Sequence, residues 1–72
     1  MAGEGEISIE LNGDRQSVSA GTLLPTLLER LGLSPRGVLV EYNGTALLRD
    51  EWPGIRLADG DRVEILRVVA GG

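Results

Sequence analysis

The chain has 72 residues and a formal net charge of −4. That length holds one domain, and the charge speaks against nucleic acid or an anionic membrane as partner, because both select a basic face. It contains no Cys, no His and no Lys, all seven cations being Arg. Disulfides, thiolate and imidazole chemistry, the usual zinc sites and Schiff-base catalysis are therefore excluded. We expect no metal site, no bound cofactor and no autonomous catalysis, with any function carried by the surface or by an end of the chain.

The opening "MAGEGE" is small and acidic, without the cationic and apolar regions of an export signal. No apolar run is long enough to cross a bilayer. We read residues 1–5 as a flexible leader to a cytoplasmic domain over 6–69, followed by a flexible tail over 70–72. "EISIEL" alternates strictly, placing Ile7, Ile9 and Leu11 on one face of a half-buried strand. Asn12-Gly13 supplies two residues tolerant of positive φ and predicts a tight hairpin. "RQSVS" then returns with Val18 inward.

The period next becomes helical. Leu24, Leu27, Leu28 and Leu31 fall on one stripe, with Thr22 as N-cap, Pro25 in the first turn, Gly32 just past the end and Pro35 beyond it. "VLVEYNG" is a third strand with Val38, Val40 and Tyr42 on one side, turning at Asn43-Gly44 into the short strand "TALL". "RDEWPGI" reads as an irregular or single 3₁₀ turn broken at Pro53. Trp52 plugs one end of the core there, and Arg49 braces the turn through carbonyls. In "ADGDR", Asp59 and Asp61 flank Gly60 as turn formers rather than as a metal pair.

"VEILRVV" closes the pattern with Val63 and Ile65 inward and Glu64, Leu66 and Val68 on the other face. The order is β-β-α-β-β-β. The fold class is α+β, a β-grasp roll in which a mixed sheet of four to five strands carries one main helix on one face. If the last strand lies beside the first, both occupy the sheet centre. The same parity leaves Leu39, Leu66 and Val68 exposed together, with Glu41 and Glu64 nearby. Grouped exposed apolar side chains mark a contact site.

Three stretches carry a family resemblance: "LNG" followed by "SAGTLLPTLLERLG", then "VEYNGTALLRDEW", then "LADGDRVEILRVVAGG". Over residues 6–72 the chain resembles the ThiS family, the ubiquitin-like sulfur carriers of thiamin biosynthesis. Carriers serving molybdopterin or cysteine synthesis share the Gly-Gly end but commonly place Pro just before it, where Val68 and Val69 stand here. They remain the alternative, together with a ubiquitin-like protein modifier.

The resemblance implies a non-enzymatic cosubstrate, monomeric when free. An E1-like adenylyltransferase of the ThiF type would use ATP to adenylate the Gly72 carboxylate. A sulfur donor, such as a cysteine desulfurase persulfide, would convert the adenylate to a thiocarboxylate. That group would donate sulfur on a thiazole synthase of the ThiG type. The residues suit such steps. An α-carboxylate is ionised at neutral pH and needs activation. Gly71 and Gly72 lack Cβ atoms and admit close approach of a partner, and Ala70 adds only a methyl. Val68 and Val69 keep the approach extended. Gly72 and Gly71 are thus the candidate reactive end, and Leu39, Leu66, Val68, Val69 and Ala70 the candidate partner contacts.

Overall fold

The computed structural model describes residues 5–68. Five strands, one α-helix and two 3₁₀ turns follow in the order β1 (Glu6–Leu11), β2 (Asp14–Ser19), α1 (Leu24–Arg30), a 3₁₀ turn at Pro35–Gly37, β3 (Val38–Tyr42), β4 (Thr45–Leu47), a 3₁₀ turn at Arg49–Gly54, and β5 (Arg62–Arg67). One sheet holds all five strands in the order β2-β1-β5-β3-β4. β1 and β5 are parallel neighbours at its centre, and the other pairs are antiparallel. With the helix on one face this is the expected β-grasp arrangement.

Both hairpins use the turn that their sequence specifies. Asn12 and Asn43 each have φ 50°, followed by Gly13 at 87° and Gly44 at 86°. Two consecutive positive φ values define the type I′ turn, whose twist matches that of the strands it joins. The asparagines do more than turn the chain. Asn12 Oδ1 accepts from the Ile65 N–H at 2.7 Å and Asn43 Oδ1 from the Arg62 N–H at 2.8 Å, so each hairpin tip grips β5.

The helix departs from expectation at its start and ends where Gly32 predicts. Thr22 is not its N-cap: the cap position is Leu23, which offers no side-chain acceptor. The Thr22 hydroxyl instead donates to the Ser19 carbonyl at 2.6 Å. The orphaned N–H of Leu24 donates to the Ile55 carbonyl, and the Leu57 N–H donates back to Thr22. A strand-like stitch thus replaces the side-chain cap, a substitution that local sequence does not reveal. At the other end Gly32 has φ 73°. Its N–H reaches the Glu29 carbonyl while the Leu33 N–H reaches Leu28, the paired bonds of a Schellman ending. Leu31 is the C-cap and is exposed, so the apolar stripe ends at Leu28.

The core fills the space between α1 and the inner sheet face. Ile9, Val38, Val40, Val63 and Ile65 come from the sheet, Leu24, Leu27 and Leu28 from the helix, with Trp52 and Leu57 from the connection before β5. Trp52 closes one end, as its size suggests. Pro53 lies within its 3₁₀ turn rather than breaking it, and the brace is Glu51, whose carboxylate accepts from the Leu48 N–H at 2.7 Å, rather than Arg49.

Asp59 and Asp61 are occupied by backbone and side-chain donors. Asp59 accepts from the Ser8 N–H. Asp61 is buried and accepts from the Tyr42 hydroxyl, the Ala58 N–H and the Asn43 amide. Burial opposes its charge, but those three donors outweigh burial and hold the carboxyl below its usual value. Tyr42 is pushed up to about 12, first by donating to Asp61, then by burial and by the nearby charge.

A depressed carboxyl stabilises the fold above its unfolded value of about 3.9, and that contribution is lost as pH falls. A raised phenol stabilises below its unfolded value of about 10, and that contribution is lost as pH climbs towards about 12. With one Tyr and no Lys or Cys, Tyr42 is the side chain that titrates in the alkaline window. Tyr42→Phe should cost about 1–2 kcal/mol at neutral pH and flatten the alkaline decline in stability. Urea titrations at successive pH values measure this, and an undiminished alkaline decline in the variant contradicts the assignment.

Candidate functional site

The candidate contact surface lies on the sheet face that α1 leaves uncovered. β3 and β5 pair antiparallel with Leu39 opposite Leu66, Val40 opposite Ile65 and Glu41 opposite Glu64. Because side chains alternate across a strand, Val40 and Ile65 enter the core while their neighbours face out. Leu39 is 58 % exposed, Leu66 57 % and Val68 53 %. The structure therefore brings Leu39 and Leu66 together as a cross-strand pair. Val68 extends the row, held in line where its N–H donates to the Gly37 carbonyl at 2.9 Å. Val69, Ala70, Gly71 and Gly72 lie outside the described residues.

What the sequence did not disclose is register. Parity puts Glu41 and Glu64 on the outer face, but only the β3–β5 alignment sets them directly opposite each other. No local signal fixes that alignment, because the two strands are joined through β4 and a 3₁₀ turn. On the helix side, Leu11, Asn12, Leu31, Leu33, Ile65 and Arg67 line an open cleft of about 390 Å³. Exposed Leu31 lies at this cleft, consistent with its absence from the core. Among the described residues, no helix is long and apolar enough to cross a membrane.

β5 is thus a two-faced strand. Its inner side chains anchor it in the core, and its outer ones continue an apolar row towards the residues that follow Val68. It has hydrogen-bonded neighbours on both sides, so its direction is fixed by the sheet rather than by a loop. Such an element can hold a docking surface at fixed geometry on the sheet.

Leu66→Ala should change unfolding free energy by no more than about 0.5 kcal/mol, as surface substitutions do. Ile65→Ala, one position away, should cost about 2–5 kcal/mol. Chemical denaturation of the two variants measures the contrast, and equal losses would contradict the assignment of faces.

Comparison with known proteins agrees with this geometry. The family model described as "ThiS family" matches residues 6–72. The sulfur carrier protein ThiS of Thermus thermophilus is 39% identical over 62 residues, spanning 86% of this chain and 95% of that protein. A thiazole synthase of Magnetococcus marinus is 35% identical over 66 residues, and a second, from Paramagnetospirillum magneticum, is 30% identical over 66. In both, the match takes in 92% of this chain but 20% of the relative, so the chain spans about a fifth of their length. Among solved structures, the thiamine biosynthesis protein ThiS of Geobacter metallireducens superposes with a TM-score of 0.79 at 30% identity, covering 92% of this chain and 100% of that one. On a family match spanning 6–72 and the likeness to the Thermus carrier, the chain belongs to the ThiS family.

Proposed function

We propose that this protein is the sulfur-carrying cosubstrate of thiazole formation in thiamin biosynthesis, with the Gly72 carboxylate as the atom group that is charged and discharged. The observation that carries this reading is the family match, which runs through β5 and on to Gly72. The carboxylate, ionised and unreactive at neutral pH, is first adenylated by an E1-like enzyme at the expense of ATP, releasing pyrophosphate. A persulfide sulfur then displaces AMP, and a thiol cleaves the resulting S–S bond to leave the thiocarboxylate. That anion is the nucleophile delivered to the thiazole synthase. ATP belongs to the activating partner.

The relatives support the identity of the acceptor. Two proteins named thiazole synthase match 92% of this chain with a fifth of their length. A carrier-like segment and a synthase name on one chain favour a synthase as the partner of the separate carrier. In this chain, Leu39, Leu66 and Val68 supply the docking surface. Val69 and Ala70 lead the tail into the partner, and Gly71 and Gly72 lack the Cβ atoms that would obstruct a narrow channel.

The reading is tested by adding one Ala after Gly72. In a reconstituted assay containing activating enzyme, sulfur donor and thiazole synthase, the extended chain should drop thiazole formation to background while its thermal unfolding stays that of the parent. Full activity of the extended chain would overturn the proposal.

A further inference from the structure

The outer sheet face carries a charge arrangement that works against folding. In one row the charges alternate: Arg15 on β2 is opposite Glu10 on β1, and Glu10 is opposite Arg62 on β5. In the next row they repeat, with Glu41 on β3 opposite Glu64 on β5, and the other neighbour of Glu41 is Ala46 on β4. Side chains directly opposite stand with Cβ atoms about 4.5–5.5 Å apart, and like charges so placed are destabilising. One step further along the same two strands lies the exposed Leu39–Leu66 pair, with Val68 beyond. A repelling pair and an exposed apolar pair thus share one surface. Neither serves the isolated fold.

Both features are relieved by the same event. A cation seated between Glu41 and Glu64 turns their repulsion into two attractions. A guanidinium suits the position, since its planar array of donors can serve two carboxylates at once. Covering Leu39, Leu66 and Val68 with apolar side chains removes exposed hydrocarbon from water.

We propose that Glu41 and Glu64 together bind one basic side chain of the thiazole synthase, an arginine or a lysine set among apolar residues that cover Leu39, Leu66 and Val68. This deepens the function proposed above and rests on it. The apolar contacts supply much of the affinity, and the carboxylate pair fixes register and rejects partners that present an anion or a neutral group there. The arrangement differs from an ordinary acidic surface because neutralising it has opposite effects on folding and on docking.

That opposition supplies the test. The parent and E41Q/E64Q are titrated calorimetrically against the thiazole synthase of the same organism at several salt concentrations, and their thermal unfolding is compared. The double variant should bind about tenfold or more weakly, with a shallower salt dependence, while its Tm equals or exceeds that of the parent. E41Q alone, with one carboxylate left, should fall between the two. Unchanged affinity with an unchanged salt slope overturns the inference, as does weakening that appears only with the activating enzyme. If the parent binds and feeds sulfur to the synthase while E41Q/E64Q does the same, this inference alone fails. If the parent does not bind the synthase, the proposed function fails with it.

Discussion

The structure depends on the way its last strand is gripped from both sides by hairpin tips. Asn12, between β1 and β2, accepts from the Ile65 N–H and donates its own N–H to the Val63 carbonyl. Asn43, between β3 and β4, accepts from the Arg62 N–H and donates its N–H to the Arg62 carbonyl. Each asparagine holds a left-handed φ and a strand-to-strand contact at once. Glycine would supply the first without the second, and an ordinary residue would find the first costly. Asp61, drawing in Tyr42, Asn43 and the Ala58 N–H, fastens the approach to the same strand. β5 is consequently held along both of its edges, by β1 and by β3.

From that constraint the division of the sheet into two faces follows. One seven-residue helix covers the inner face, and its apolar stripe meets Ile9, Val38, Val40, Val63 and Ile65. The outer face has no second layer, so the residues that alternate with the core are left to water or to a partner. On most of that face they are polar or charged. Around β3 and β5 they are Leu39, Leu66 and Val68, beside two opposed glutamates. This patch lies on β3 and β5 themselves.

Much of this was legible in the sequence because it is set locally. Alternation in "EISIEL" and "VEILRVV" assigns faces, Asn-Gly assigns the turns, and Gly32 assigns the helix end. The exposed trio follows from the same parity. What escaped is what distant segments decide. Thr22 has the chemistry of an N-cap, but residues 55–57 satisfy the helix start and release its hydroxyl to Ser19. Leu31 has the spacing of a core residue, but as the C-cap it stays exposed beside the cleft that Leu33 and Arg67 also line. Asp61 reads as a turn former, and its grip on Tyr42 depends on strands brought together from separate parts of the chain. The Glu41–Glu64 opposition is likewise a matter of register, which composition and period leave open.

The central proposal is chemical: that the Gly72 carboxylate exchanges oxygen for sulfur. Intact-mass spectrometry of the carrier after incubation with the E1-like enzyme, ATP and a persulfide donor tests it most directly. The account predicts a mass gain equal to one sulfur replacing one oxygen, localised by fragmentation to Gly72 and absent without ATP. An unaltered mass under conditions where a known carrier is charged, or a sulfur found elsewhere in the chain, would contradict it.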